Sequence, residues 1–225
     1  ALELGGFDTV DLVHLNLLAQ GEVDPAAYQI IVFPGGFLDG DDLGAAQACA
    51  NRIRNSRVNG ERLVDRLIRF VGSGGLVLGI CNGFQVLTEA RLLPGALRRN
   101  RGLKFECRDT YLRVERNDLA FTSCYAQGQV LRLPIAHGEG NYEHFPAELD
   151  RLEANRQVVF RYVSPAGEDD DRWNANGSAR GIAGDAAVDP DDVRVRLPVD
   201  WDSVDPIPDA LAAIMARPGP IDVPL

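Results

Sequence analysis

The chain has little of what metal, disulfide or membrane proteins depend on. Its four cysteines, Cys49, Cys81, Cys107 and Cys124, are scattered with no C-x-x-C pair. That spacing argues against a zinc cluster and against a disulfide scaffold, and it fits a reducing cytoplasm with a thiol free for chemistry. There are three histidines, His14, His137 and His144, and none beyond His144. Lys104 is the only lysine among 23 Lys and Arg residues, a bias that points to GC-rich coding and carries no functional weight. No apolar stretch approaches the roughly 20 residues of a membrane span, and no signal peptide is visible. A net charge of −10 lacks the clustered positive surface that nucleic acid requires. There is no phosphate-binding P-loop pattern and no internal repeat.

What is present centres on residues 76–89, Leu-Val-Leu-Gly-Ile-Cys-Asn-Gly-Phe-Gln-Val-Leu-Thr-Glu. Leu76, Val77 and Leu78 have the length of a buried strand. Gly79-Ile80-Cys81-Asn82-Gly83 reads as a G-x-C-x-G turn, and a helical segment with Phe84, Val86 and Leu87 apolar follows. This is the cysteine version of the strand-turn-helix nucleophile elbow. Its glycines permit a turn too tight for side chains. The Cys81 thiol would then sit near a helix N-terminus, where the dipole and free N–H groups favour thiolate. The plain alternative is a buried structural cysteine after a core strand.

At 225 residues the chain is long enough for one sizeable α/β domain. Strands are predicted over residues 10–15 and 28–33. A long helical pattern runs from about Leu43 to Phe70, with a break in its polar middle at 55–59. Strand, helix and strand in that order imply parallel pairing through crossover helices. After Leu93-Pro94-Gly95 the pattern changes to strands over 104–108, 111–115, 129–135 and 158–163 with little helix between, an antiparallel addition. The acidic run Glu168-Asp169-Asp170-Asp171 reads as a solvated loop rather than a metal site. The chain opens on what looks like a helix end with its glycine stop, which suggests missing upstream sequence. Residues 185–225 hold seven prolines and nine aspartates but no His, Cys, Lys or Glu. There, 193–197 is a candidate strand and 208–216 a candidate short helix, and the rest reads as coil.

Pro34-Gly35-Gly36-Phe37 follows a predicted core strand, and open parallel sheets place their sites beyond strand C-termini. The Gly35-Gly36 loop would therefore face Cys81. The N–H groups of Gly36 and Asn82 would form an oxyanion hole for acyl transfer. A thiol nucleophile needs a base. His137-Gly138-Glu139 offers an imidazole with a carboxylate two residues away, and a turn with a surface histidine explains the same spacing equally well. His14, on a predicted strand, reads as structural.

These motifs occur in a specific order: Pro-Gly-Gly-Phe, Gly-Ile-Cys-Asn-Gly-Phe-Gln, Leu-Leu-Pro-Gly, then Pro-Ile-Ala-His-Gly-Glu-Gly-Asn-Tyr. Asn100-Arg101-Gly102-Leu103-Lys104-Phe105-Glu106-Cys107, Asn174-Ala175-Asn176-Gly177-Ser178 and Gly181-Ile182-Ala183-Gly184 accompany them. Together they resemble the glutaminase component of phosphoribosylformylglycinamidine synthase, a class I glutamine amidotransferase of purine biosynthesis. The resemblance covers roughly residues 5–184. It implies a flavodoxin-like α/β domain over 1–184, a mostly parallel sheet flanked by helices with antiparallel additions, and an atypical Pro/Asp-rich tail over 185–225. It also implies that Cys81 attacks glutamine and forms a γ-glutamyl thioester, that Gly36 and Asn82 hold the oxyanion, and that Gly35 and Gln85 help bind the substrate. Ammonia would pass to a synthetase subunit or domain carrying ATP and magnesium, which amidates formylglycinamide ribonucleotide. No cofactor is expected on this chain, and neither nucleic acid nor membrane is an expected partner.

The sequence departs from the family's pattern in two places. The family's opening strand and its Pro-Gly-x-Asn-Cys-like loop are missing. The family's base and orienter come from a Pro-His-Pro-Glu motif shortly after Gly-Ile-Ala-Gly, and nothing like it follows Gly184. His137 and Glu139 correspond instead to a segment near the glutamine site or the partner interface. Three explanations compete, in this order: a reading-frame slip that produced the tail, a genuine divergence that leaves a binding subunit without hydrolysis, and recruitment of His137 as a surrogate base.

Overall fold

The structure is a computed structural model, and it describes residues 2–3, 6–37, 44 and 46–186. The loop expected at 39–42, the start of the helical pattern at Leu43, the strand expected at 193–197 and the helix expected at 208–216 lie outside the described residues. In chain order the elements are α1 (Leu15–Gln20), β1 (Ile30–Phe33), α2 (Gln47–Asn55), β2 (Arg57–Val58), β3 (Glu61–Arg62), α3 (Leu63–Gly72), β4 (Leu76–Gly79), α4 (Asn82–Glu89), β5 (Ala96–Arg98), β6 (Glu106–Val114), β7 (Val130–His137), β8 (Asn141–Glu143), α5 (Pro146–Ala154), β9 (Val158–Tyr162) and β10 (Ile182–Asp185).

β1 and β4 pair in parallel, from Ile30 opposite Leu76 to Phe33 opposite Gly79. Parallel neighbours need a crossover, and α2 and α3 supply it. The predicted break becomes the β2–β3 hairpin, where Asn59 and Gly60 both take positive φ, 52° and 86°. A two-residue hairpin turn asks for that conformation, and Asn-Gly adopts it readily. In α3, Leu63, Val64, Leu67 and Phe70 recur at helical spacing and are buried. Leu63, Val64 and Leu67 join Cys49, Ala50 and Ile53 of α2 and Val86 of α4 in one core, with Ile31 and Phe33 of β1 packed against it.

Antiparallel pairing accounts for the remaining sheets among the described residues: one of four strands in the order β10-β9-β6-β7, and the pair β5–β8. The segments 104–108 and 111–115, expected as two strands, are one strand, β6, whose ladder with β7 runs unbroken from Glu106 opposite His137 to Arg113 opposite Val130. The expectation of little helix in this half is corrected by α5. Its Pro146 sits in the first turn, where the missing N–H costs nothing, and its Leu149 and Leu152 pack with Tyr142, Val158 and Ile182. Pairing reaches Asp185, opposite Val158, and the Ala186 N–H donates to the Gln157 carbonyl at 2.8 Å.

The strand expected over 10–15 does not form. Residues 9–14 carry no regular structure, and Leu12 is fully exposed. An apolar alternation makes a strand only where a neighbour completes the backbone ladder, and among the described residues none pairs there. His14 instead caps α1, with Nδ1 accepting from the Asn16 N–H at 3.1 Å.

Candidate active site

The level ends of β1 and β4 bring two loops together. Pro34-Gly35-Gly36 leaves β1 where Ile80-Cys81 leaves β4, and the ladder continues one step further through Ile80 N–H to Phe33 O at 3.0 Å. A Cβ placed on Gly35 would lie 3.3 Å from the Cys81 Cβ, so the glycine loop touches the cysteine. Gly36 has φ 152°, and a Cβ there would meet nothing within 4 Å, so the Cβ side of this residue is open.

Cys81 is the N-cap of α4 with φ 52° and ψ −109°, a conformation that L-residues rarely occupy. Such strain concentrates at functional turns. Two close approaches enforce it. A Cβ on Gly83 would lie 1.9 Å from the Phe33 carbonyl oxygen, and one on Gly79 would lie 2.7 Å from the Gly83 oxygen. The turn's hydrogen bonds are donated by Gly83 to Ile80 O at 2.8 Å and by Phe84 and Gln85 to Cys81 O at 3.0 and 3.2 Å. The Asn82 N–H takes no part in these bonds. The thiol itself is exposed, which removes the alternative of a buried structural cysteine. Cys107 and Cys124 are exposed too, and Cys49 is buried.

Gln85 is buried and already engaged. Its Nε2 donates to the Glu139 carbonyl at 2.7 Å, and its Oε1 accepts from Asn82 Nδ2 at 2.9 Å. The structure therefore joins Cys81, Gly35, Asn82, Gln85 and the 137–140 turn in one region. It does not make His137 and Glu139 a dyad. The Glu139 carboxylate pairs with Arg99 at 3.7 Å. The His137 ring packs on Gly140, where a Cβ would lie 2.5 Å from Cε1 and 2.8 Å from Nδ1. Its Nδ1 is buried without a hydrogen-bond partner. Burial holds its pKa below the usual imidazole value, against a smaller opposing pull from Glu106 across the ladder. His144 is engaged locally, its Nδ1 accepting from the Phe145 N–H at 2.9 Å.

Sequence reasoning missed the residues that hold the turn. Asn100 Oδ1 accepts from the Gly140 N–H at 3.0 Å, and Asn100 Nδ2 donates to the His137 and Lys104 carbonyls, each at 2.9 Å. Asn176 Nδ2 donates to the Gly140 carbonyl at 2.9 Å and to the Tyr162 hydroxyl at 2.7 Å, and Ser178 Oγ donates to Gly140 O at 3.1 Å. Burial drives the Tyr162 pKa up to about 12, and the charge of Cys81 adds to the rise, so this network lies within electrostatic reach of the thiol. The available signal was the Asn-rich, Gly-rich texture of 100–102 and 174–178. Among the described residues no group of three His, Cys, Asp or Glu is arranged to hold a metal, and no helix is long and apolar enough to cross a membrane.

Comparisons with known proteins bear on the family of the chain. Residues 1–189 match the model of the CobB/CobQ-like glutamine amidotransferase domain. Similar curated proteins include the phosphoribosylformylglycinamidine synthase subunit PurQ of Rhodopseudomonas palustris strain HaA2, 49% identical over 160 residues, 71% of this chain and 65% of the relative. PurQ of Synechococcus elongatus is 50% identical over 163 residues, 72% of this chain and 66% of the relative. Among solved structures, PurLQS from Thermotoga maritima matches with a TM-score of 0.55 and 37% identity, covering 70% of this chain and 62% of that one. The chain thus spans just under two thirds of the length of the first two of these relatives.

Proposed function

The chain belongs to the CobB/CobQ-like glutamine amidotransferase family, and from that premise we propose that it is the glutaminase part of a phosphoribosylformylglycinamidine synthase. Residues 1–184 form the amidotransferase unit in this reading, and 185–225 are an atypical extension. Cys81 Sγ attacks the γ-carboxamide carbon of glutamine. The N–H groups of Gly36 and Asn82 receive the oxyanion, where preorganised donors act most strongly. The C–N bond then breaks, the thiol's proton leaves on ammonia, and a γ-glutamyl thioester remains for water to release as glutamate. Gly35 shapes the wall beside the sulfur, and Gln85 fixes the substrate side through Asn82 and Glu139. Ammonia passes to a synthetase partner that holds ATP and magnesium and amidates formylglycinamide ribonucleotide in the cytoplasm.

The observation that carries this reading is the strained, exposed Cys81 with the Gly35 loop against it. Labelling with a glutamine-mimicking diazoketone tests it. Exposure alone does not separate Cys81 from Cys107 and Cys124, so selective labelling of Cys81 that free glutamine suppresses supports a glutamine site. Equal labelling of the three refutes it.

A second reading rests on a separate observation. No histidine follows His144 in this sequence, and His137 and Glu139 do not pair, so among the described residues no imidazole–carboxylate dyad is set to carry the proton from thiol to ammonia. We infer that the literal chain is a catalytically impaired subunit that binds its synthetase and hydrolyses glutamine very slowly. In subtilisin, loss of the triad histidine costs on the order of 10⁶ in turnover. Glutamine turnover at ordinary amidotransferase rates by this chain would exclude the impaired reading.

A further inference from the structure

We propose that Asn176, with Asn100 and Ser178, is a positioning residue of the glutamine site, acting through the His137–Gly140 backbone on the substrate side of Cys81. This rests on the reading of Cys81 as a glutamine-directed nucleophile. The 137–140 turn leaves β7 at the sheet's end, and its main-chain groups are bonded by side chains from three distant segments. Asn100 holds His137 O and Gly140 N–H, Asn176 and Ser178 both hold Gly140 O, and Gln85 holds Glu139 O. All four of these side chains are at least nine-tenths buried, and Asn176 is completely so. Such density exceeds what a surface turn needs, because water satisfies exposed turns without help. The Gln85 link is the one that matters for function. Gln85 lies one helical turn past Cys81 on α4, so the turn's position is transmitted to the elbow's own helix.

Two details make Asn176 the key of the arrangement. Its Nδ2 spends both hydrogens, one on Gly140 O and one on Tyr162 Oη, so it fixes the turn against β9. Tyr162 accepts that bond, which leaves its hydroxyl hydrogen to point elsewhere. Asn176 Oδ1 is buried with no partner, a cost that persists only where the amide's orientation is dictated by its donors. Removing Asn176 frees Gly140 O of one of its two side-chain donors and lets the turn shift relative to α4.

The experiment compares two reagents on the full chain. A glutamine-mimicking diazoketone reports recognition plus thiol attack, and iodoacetamide reports thiol access alone. For Asn176→Ala and Asn100→Asp the ratio of diazoketone to iodoacetamide rates at Cys81 is expected to fall about tenfold or more, the size of a lost buried hydrogen bond. The iodoacetamide rate itself should stay within about twofold. Asn117→Ala, which removes a part-buried amide bond to the Tyr125 carbonyl and touches no group of the turn, should keep the parental ratio. If Asn176→Ala fails to fold, Ser178→Ala removes the other donor to the same carbonyl, together with the acceptor of the Tyr142 N–H, and should lower the ratio about threefold. Folded variants with an unchanged ratio overturn the inference while leaving the glutamine site intact. A parent chain with no preference for the diazoketone overturns the glutamine reading and this inference together.

Discussion

Replacing Asp185 by Asn is expected to make the protein more stable at neutral pH and to remove a falling limb from its pH–stability curve. Asp185 ends β10 with its Oδ1 buried, and desolvation of the carboxyl drives its pKa from 3.8 up to about 7. The geometry agrees. The single Tyr142 hydroxyl lies 3.0 Å from Asp185 Oδ2 and 3.2 Å from the Pro94 carbonyl, and it has one hydrogen to give. Both contacts are hydrogen bonds only if Asp185 is protonated and donates to Tyr142. Once ionised, Asp185 competes with Pro94 for that hydrogen, and its Oδ1 is a buried oxygen with no partner. Between pH 3.8 and about 7 the folded chain holds a proton that the unfolded chain has released. The stabilisation is therefore full below about pH 4 and is lost as pH rises through 7, a change on the order of 4 kcal/mol. Asp65 and Asp118, held low by their hydrogen bonds to Arg62 and Arg116, act in the opposite direction, gaining stability as pH rises. The difference between the two proteins isolates Asp185. Urea denaturation of parent and Asp185→Asn at several values from pH 4 to 8 should show curves that diverge steadily and then run parallel above about pH 7. Curves offset by a constant amount throughout would refute the buried-proton account.

The elbow and the base supply the remaining predictions. Gly83→Ala places a Cβ 1.9 Å from the Phe33 carbonyl oxygen, a backbone atom that cannot step aside. It should cost about 3 kcal/mol or more and disorder Cys81 presentation, and an unchanged melting temperature would contradict the close packing of α4 on β1. Gly35→Ala meets the Cys81 Cβ at 3.3 Å and, at ordinary contact distance, the Ile80 carbonyl oxygen at 3.6 Å. It should fold with a melting temperature within a few degrees of the parent yet lose most of the diazoketone selectivity at Cys81, and retained selectivity would move the substrate away from this loop. His137→Asn should leave any residual glutamine turnover within about twofold, since Nδ1 is packed on Gly140 and Glu139 pairs elsewhere. A loss of about a hundredfold, the usual contribution of general-base catalysis, would restore His137 as a surrogate base.

The parts of this protein that were legible in its sequence are those whose constraints are local. The G-x-C-x-G turn announces itself because Gly79 and Gly83 are needed where backbones nearly touch, and both lie within two residues of Cys81. Pro34-Gly35-Gly36 was legible as a partner because parallel strands deliver their following loops to one edge. The break at 55–59 was visible as polarity, although its hairpin form depends on the Asn59-Gly60 conformation. Residues 10–15 were misread because alternation says nothing about whether a neighbouring strand exists. α5 was missed because only Leu149 and Leu152 face the core, too thin a stripe in a charged segment. The turn network and the Tyr142–Asp185 contact join residues more than 35 positions apart, and no local pattern encodes such partners.

This division between local and distant also bears on the proposal that the chain presents a nucleophile without the family's base. Holding Cys81 at φ 52° costs on the order of 1–3 kcal/mol. That strain is sustained by α4, whose Val86, Leu87, Thr88 and Ala90 are buried against the rest of the fold, and by the glycine contacts with β1. None of these supports involves a histidine. The base in this family's pattern comes from beyond Gly184, after the last strand that closes the described sheet. On the impaired reading proposed above, its absence touches none of the described contacts that hold the elbow, so the Cys81 strain and the 137–140 clamp stand without a proton carrier. A strained and exposed cysteine is thus a record of what the fold was built to present. If turnover needs a proton carrier that none of these contacts supplies, alkylation of Cys81 and hydrolysis of glutamine are expected to dissociate in this protein.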